Sequence, residues 1–171
     1  VGKTISIEKL KSFYDAIIIA TGMAIDRPLS IKGDNKLGCY GAAEFVGWYN
    51  GHPNYKDLNP QLDNDTAVII GNGNVAIDCA RVLAKNSKEM EESDITEYSA
   101  KAIMKSPIKK IYIIGRRGPL DAKFTTVEIR EMGELLDCNS VLSNGTLSQI
   151  PSSKNLEEIE KQYKILTSFP E

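Results

Sequence analysis

The chain has 171 residues, of which 42% are hydrophobic and 26% are charged, and its formal net charge is −2. This length and composition are typical of a globular domain, and the near-neutral charge gives no basic field that would favour DNA or RNA as a partner. The three cysteines are widely spaced and indicate neither a disulfide framework nor a metal site. We therefore expect no bound metal and no nucleic-acid partner.

The N-terminal third predicts two helices, one strand and a loop. Ser6 is a suitable N-cap for a short helix over residues 7–12. The apolar run at residues 16–20 predicts a buried strand, and the turn-forming residues at 23–38 predict a loop. Apolar side chains at helical spacing predict a second helix over residues 41–51.

The middle of the chain alternates predicted strands and helices. Residues 66–70 predict a strand and residues 75–85 an amphipathic helix. Residues 86–93 are polar and predict an exposed loop, residues 95–105 predict a helix, and residues 109–114 predict the next strand. Such alternation indicates an α/β fold, with a Rossmann-like parallel sheet and flanking helices.

Two capping-box patterns mark further helix starts. Asp94 with Glu97 precedes the helix at 95, and Thr125 with Glu128 predicts a helix over residues 126–136. After a turn at Asn144-Gly145, the sequence predicts a last amphipathic helix from Ser153, with an apolar stripe of four residues. The stripe consists of Leu156, Ile159, Tyr163 and Leu166.

A glycine-rich turn, G-x-G-x-x-A at residues 71–76, joins the first strand of this unit to its helix. Gly71 permits a tight turn and Gly73 lets the main chain approach a pyrophosphate. Asn74 is an N-cap candidate, and the amides of Asn72 and Asn74 can donate hydrogen bonds. The helix N-terminus attracts an anion. The pattern predicts a dinucleotide-binding turn, and a plain strand–turn–helix without ligand is the alternative.

Two adjacent arginines, Arg116 and Arg117, follow the second strand. In a dinucleotide-binding fold this strand ends beside the adenosine ribose, where arginine accommodates a 2′-phosphate and so selects NADP(H). The distance from Gly71 is more than twice the usual spacing of about 20 residues, and the inserted residues 86–106 explain the difference. A phosphate monoester of about −1.5 to −2 charges would neutralise the mutual repulsion of the pair. The alternative is a solvated surface pair.

Six stretches between about residues 14 and 132 together resemble the adrenodoxin reductase family, the mitochondrial type of ferredoxin–NADP⁺ reductase. From about Cys138 onward the sequence departs from any pattern of that family. The six stretches are "YDAIIIATG", "EFVGWYNGHP", "DTAVIIGNGNVAIDCARVL", "SDIT", "IYIIGRRGP" and "FTTVEIREM".

The resemblance implies a two-domain flavoprotein in which NADPH passes a hydride to FAD, and the flavin passes single electrons to a ferredoxin or adrenodoxin iron–sulfur protein. This chain would be the inserted NADP-binding domain. The family's FAD fingerprint, G-x-G-P-A-G, does not occur in the sequence. We therefore expect a fragment that binds NADP(H) and does not turn over alone. The resemblance also implies a mitochondrial location and leaves peripheral membrane association open.

The resemblance assigns roles to single residues. Arg116 and Arg117 would hold the 2′-phosphate. Glu128 would contact the adenosine end, although it also completes the capping box with Thr125. The residues implied at the pyrophosphate are Gly71, Asn72, Gly73, Asn74 and Val75.

Glu131 is implied as the catalytic candidate, because its position in the family lies near the nicotinamide and the flavin. A solvated helix acid, paired with Arg130 or Lys123, is the alternative for this residue. The family has Gln more often than Asn at the position of Asn72, and the shorter side chain leaves that contact in question.

The expected organisation has four parts. Residues 1–22 would be the remnant of an FAD-domain segment, residues 23–65 a connecting segment with one helix, residues 66–150 the NADP-binding core and residues 151–171 a C-terminal helix.

Two functional alternatives stay open: the NADP-binding domain of a glutamate-synthase-like small subunit, and a non-catalytic Rossmann nucleotide-binding module. A thioredoxin reductase would need a C-x-x-C, which none of the cysteines forms. A methyltransferase would usually have an acid at the second strand tip, where this chain has arginines.

Overall fold

The computed structural model describes residues 1–20, 25–118, 121–142 and 156–169. Within these ranges the chain alternates helices with two strands. The elements, in chain order, are α1 (Ile7–Lys11), α2 (Ala42–Tyr49), β1 (Thr66–Ile70), α3 (Asn74–Ala84), α4 (Ser87–Glu91), α5 (Glu97–Lys105), β2 (Lys110–Ile114), α6 (Thr126–Met132) and α7 (Leu156–Ser168).

The two strands pair in parallel, and the register runs from Thr66 opposite Lys110 to Ile70 opposite Ile114. Their carboxyl ends therefore lie side by side. The intervening chain, with α3, α4 and α5, makes the long connection that a parallel pair requires. The predicted α/β class with parallel strands is confirmed, and the bounds predicted for β1 are those observed.

Helix α3 lies at the centre of the packing and contributes to two apolar clusters. Ile77 and Ala80 belong to the first cluster, which includes residues of α6 and α7 and is packed against the inward face of the strand pair. Cys79 faces the second cluster, which is formed with residues of α2, α4 and α5. Because the same helix carries the glycine turn at its N-terminus, both clusters fix the position of that turn.

The second cluster is rich in aromatic side chains. Phe45, Trp48 and Tyr49 of α2 are all buried, and the ring centroids of Phe45 and Trp48 lie 5.5 Å apart. The hydroxyl of Tyr98 donates to the Trp48 carbonyl oxygen at 2.7 Å and ties α5 to α2. Trp48 and Tyr49 are thus packing residues.

The strand predicted at residues 16–20 is wrong. These residues form no strand, and Ile18 is 91% exposed. A strand needs a neighbour to satisfy its backbone N–H and C=O groups. In the part of the chain that the structure describes, β1 and β2 pair with each other and neither pairs with residues 16–20.

The loop predicted at residues 86–93 is also wrong, because it contains α4. Asn86 caps this helix: its Oδ1 accepts from the Glu89 N–H at 3.0 Å, and the Glu89 carboxylate accepts from the Asn86 N–H at 3.0 Å. Met90 anchors the helix in the second cluster. The polar composition of residues 86–93 favoured a loop, but the reciprocal hydrogen bonds of a capping box stabilise a helix here.

Two helix boundaries differ from the predictions. Helix α5 begins at Glu97 with Thr96 as N-cap, so the box of Asp94 with Glu97 does not form. Helix α6 ends at Met132 and is capped by Gly133, four residues before the predicted end.

The start predicted at Ser153 and the turn at residues 144–145 lie outside the described residues. The four-part division of the chain stays a prediction. Among the described residues, no helix has the length and apolar character needed to cross a bilayer.

Candidate functional site

The glycine turn leaves β1 at Ile70 and is tied to the end of β2. Gly71 has φ of +145°, a conformation that residues with a Cβ rarely adopt. Its N–H donates to the Ile114 carbonyl oxygen at 3.0 Å. The turn therefore begins where both strands end, at the carboxyl edge of the pair, which is where α/β folds bind ligands.

Gly73, and not Asn74, is the N-cap of α3. Gly73 has no side chain to cap the helix, and among the described residues no acceptor bonds the N–H groups of Asn74 and Val75, whereas the Ala76 N–H donates to the Gly73 carbonyl oxygen at 3.0 Å. The N–H groups of Asn74 and Val75 are therefore available to an anion in front of the helix. The predicted N-cap role of Asn74 is wrong: its Oδ1 instead accepts from the Thr125 N–H at 2.8 Å, which links α3 to α6.

Asn72 joins the turn to two other segments. Its carbonyl oxygen accepts from the Lys123 N–H at 2.8 Å, and the next residue, Gly73, forms an isolated parallel bridge with Lys123. Its side chain lies against Gly115, where an added Cβ would be 3.1 Å from the Asn72 Cβ. The Asn72 side chain therefore packs between the turn and the end of β2. It does so although it is shorter than the Gln that the family more often has at this position.

A cleft of about 440 Å³ opens at this edge. The predicted arginine pair, Arg116 and Arg117, lines the same cleft as the turn residues Gly71, Asn72 and Gly73. The structure therefore brings together the two motifs that the sequence predicted as one site. The remaining lining residues are Leu29, Ile70, Ile114, Gly115, Gly118, Asp121 and Lys123.

The charge of the cleft is positive. Three of its lining side chains are cationic, Arg116, Arg117 and Lys123, and one is a carboxylate, Asp121. Within the described parts of the chain, none of the four forms an ion pair. Unpaired cations around an open cleft favour an anionic ligand.

Val75 and Glu128 are not among the residues that line the cleft. Val75 is half exposed on the first turn of α3. The Thr125 hydroxyl donates to the Glu128 carboxylate, but the Thr125 side chain accepts no hydrogen bond from the α6 backbone. The capping box predicted here therefore forms only as a contact between two side chains, and the adenosine role of Glu128 stays a prediction.

Glu131 lies away from the cleft lining, in an ion-pair network between α3 and α6. Its carboxylate pairs with the Arg81 guanidinium, which also lies 3.2 Å from the Asp78 carboxylate. The cation that pairs with it is thus Arg81, and not Arg130 or Lys123 as the alternative supposed. Glu131 keeps 42% of its side chain exposed. Its catalytic role stays a prediction.

Sequence reasoning missed Lys123 and Asp121 as cleft residues. From the sequence, Lys123 is predicted only as an alternative partner for Glu131. It reaches the cleft because the segment before α6 runs beside the glycine turn, a tertiary contact between residues far apart in sequence. The spacing of the sequence motifs does not predict this contact. The one signal in the sequence is a lysine shortly after the arginine pair.

Comparison with known proteins places this geometry in a family. The sequence profile of the family described as "Pyridine nucleotide-disulphide oxidoreductase" matches residues 3–125. The mitochondrial NADPH:adrenodoxin oxidoreductase of Arabidopsis thaliana is 40% identical over 154 residues, covering 90% of this chain and 32% of the relative. NADPH-ferredoxin reductase FprA of Mycobacterium tuberculosis is 40% identical over 150 residues, covering 88% of this chain and 33% of the relative.

The solved structure of Mycobacterium tuberculosis FprA in complex with NADPH superimposes with a TM-score of 0.84 at 36% sequence identity, and the match covers 98% of this chain and 38% of that one. The chain thus spans about a third of the length of the curated relatives it matches. The resemblance to adrenodoxin reductases is confirmed, and the chain belongs to the pyridine nucleotide-disulphide oxidoreductase family.

Proposed function

We propose that this chain is the NADP(H)-binding part of a flavoprotein reductase that serves a ferredoxin- or adrenodoxin-type iron–sulfur protein. One observation carries the proposal: Arg116 and Arg117, at the carboxyl end of β2, line the same cleft as the glycine turn at the carboxyl end of β1. This arrangement offers separate positions for the pyrophosphate and the 2′-phosphate of NADP(H).

The residues present fit a dinucleotide. Gly73 caps α3 without a side chain, which leaves room for a pyrophosphate, and the N–H groups of Asn74 and Val75 have no acceptor among the described residues. The guanidinium groups of Arg116 and Arg117 are planar donors suited to a 2′-phosphate. In this proposal the pyrophosphate lies against Gly71, Asn72 and Gly73, which line the cleft, and Asn74 and Val75 contribute their main-chain N–H groups from the first turn of α3.

We infer the activity of the whole protein from its relatives. Their names pair NADPH with ferredoxin or adrenodoxin. FAD, bound by parts of the protein beyond this chain, would supply the conversion of a hydride into single electrons. The chain itself binds and orients the nicotinamide nucleotide, so we expect no turnover from it in isolation. A mitochondrial location stays a prediction, because mitochondrial and mycobacterial relatives match with similar identity.

Isothermal titration calorimetry with 2′,5′-ADP and 5′-AMP tests the proposal. The two ligands differ only by the 2′-phosphate. Each charge-assisted hydrogen bond contributes on the order of 1.5–3 kcal/mol, so two arginines should favour 2′,5′-ADP by roughly 100-fold or more. Equal affinities for the two ligands would refute the assignment to NADP(H).

A further inference from the structure

We propose that Lys123 binds the pyrophosphate of the dinucleotide and acts as a third cation, independent of the arginine pair. This inference rests on the proposed function. It assigns a binding residue that neither the glycine motif nor the arginine pair includes. It also divides the cleft into two phosphate positions that depend on different side chains.

The main chain of Lys123 is anchored to the glycine turn. Its N–H donates to the Asn72 carbonyl oxygen at 2.8 Å, and it forms a parallel bridge with Gly73. The Lys123 Cβ lies 3.8 Å from the position that a Cβ on Gly73 would occupy. Lys123 therefore stands beside the residue that caps α3, where the helix N-terminus favours an anion.

The arginines follow closely after the end of β2. Arg116 and Arg117 follow Gly115, which packs on Asn72 where β2 ends. A dinucleotide laid with its pyrophosphate at α3 has its ribose beside the second strand. That placement gives the pyrophosphate to Lys123 and the 2′-phosphate to the arginines.

The charge state of Lys123 supports this role. Its side chain is exposed and lines the cleft, and no carboxylate forms an ion pair with it among the described residues. The nearest opposing charge within the cleft lining is Asp121. An ammonium on a flexible four-carbon stem can adjust to a phosphate oxygen. Because the backbone is already fixed by the turn, binding has to order the side chain alone.

The test is calorimetry of NADP⁺ and NAD⁺ with Lys123→Ala and Lys123→Gln. Both ligands contain the pyrophosphate, and only NADP⁺ has the 2′-phosphate. The matched control is Lys110→Ala, which removes an exposed lysine at the opposite end of β2, where Lys110 pairs with Thr66. All three variants remove one positive charge, so the control measures the effect of losing a cation that does not line the cleft.

We expect both Lys123 variants to weaken NADP⁺ and NAD⁺ alike, by about 10-fold, with the ratio of the two affinities unchanged. The control should leave both affinities close to those of the unchanged chain. Melting temperatures establish that each variant is folded.

Two results would overturn the inference while leaving the proposed function intact: affinities for both ligands that do not change, or a loss confined to NADP⁺, which would place Lys123 at the 2′-phosphate. If the unchanged chain binds NADP⁺ and NAD⁺ equally, the assignment to NADP(H) fails, but the effect of the Lys123 variants on the affinity for NAD⁺ still tests the inference. If it binds neither, both proposals fail.

Discussion

The side chain of Asn72 packs directly on Gly115, so that a Cβ at position 115 would lie 3.1 Å from the Asn72 Cβ and 3.2 Å from its Nδ2. This contact sets the spacing between the glycine turn and the segment that carries the arginines. The width of the cleft between the glycine turn and the arginines therefore depends on the absence of a side chain at residue 115.

Gly115→Ala should disturb that spacing. Overpacking of this kind costs about 1–3 kcal/mol, while replacing glycine by alanine returns about 0.4–1 kcal/mol through the unfolded chain. We expect a net loss of unfolding free energy in urea and a weaker affinity for NADP⁺, because the turn must move.

Gly118→Ala is the control for the stability measurement, since among the described residues beyond its chain neighbours no atom lies within 4 Å of the added methyl group. Adding Asn72→Gly to Gly115→Ala should remove the clash, because the three atoms nearest the added Cβ all belong to the Asn72 side chain. Equal stabilities of Gly115→Ala and Gly118→Ala would show that the Asn72 contact does not constrain the turn.

The Arg81 network predicts a structural contribution from Glu131. Glu131→Gln removes one of the two carboxylates that pair with Arg81. Because Glu131 is 42% exposed, solvent screening limits the expected loss of unfolding free energy to about 0.5–1 kcal/mol. The affinity for NADP⁺ should stay within roughly twofold, since Glu131 does not line the cleft.

Glu134→Gln, in the segment just after α6, makes the same chemical change at an exposed residue with no ion pair among the described residues. It should leave stability unchanged. A large drop in NADP⁺ affinity for Glu131→Gln, without loss of stability, would instead favour direct contact with the cofactor.

Burial makes Cys79 a source of pH-dependent stability. Burial first, and then the nearby charges of Asp78 and Asp26, raise the pKa of this thiol from 9.0 to about 11. Above pH 9 the thiol ionises in the unfolded chain and stays protonated in the folded one. The contribution of the protonated Cys79 thiol to the free energy of unfolding is therefore fully present below pH 9. It is lost as the pH rises to about 11, by about 1.4 kcal/mol per pH unit.

Urea unfolding between pH 8 and 11, with and without Cys79→Ala, measures this contribution. Burial also raises the pKa of Tyr49 and of Cys138, so both proteins should lose stability in alkali, and the variant should lose less. Identical slopes in the two proteins would contradict the assignment to Cys79.

The sequence was sufficient for the parts of the fold that local patterns determine. The apolar run of β1 ends at Gly71, and the amphipathic stripe of α3 follows at once, so both elements were predicted closely. Residues 16–20 failed because a strand depends on a neighbour that the local sequence does not contain. Helix α4 was overlooked although Asn86 and Glu89 have the spacing of a capping box.

The candidate site divides in the same way. The glycine turn and the arginine pair are short local motifs, and a parallel α/β fold places both at one edge. Lys123 enters the cleft through its bridge to Gly73, and Glu131 meets Arg81 across two packed helices. These contacts depend on tertiary geometry between distant residues, which local patterns do not determine.

The most direct test of the account is the double variant Arg116→Ala/Arg117→Ala, titrated with 2′,5′-ADP and 5′-AMP. The account predicts that the preference of roughly 100-fold falls to near one, because affinity for 2′,5′-ADP drops to that for 5′-AMP, which is retained. A double variant that folds and still prefers 2′,5′-ADP as strongly as the unchanged chain would contradict it and place the 2′-phosphate elsewhere.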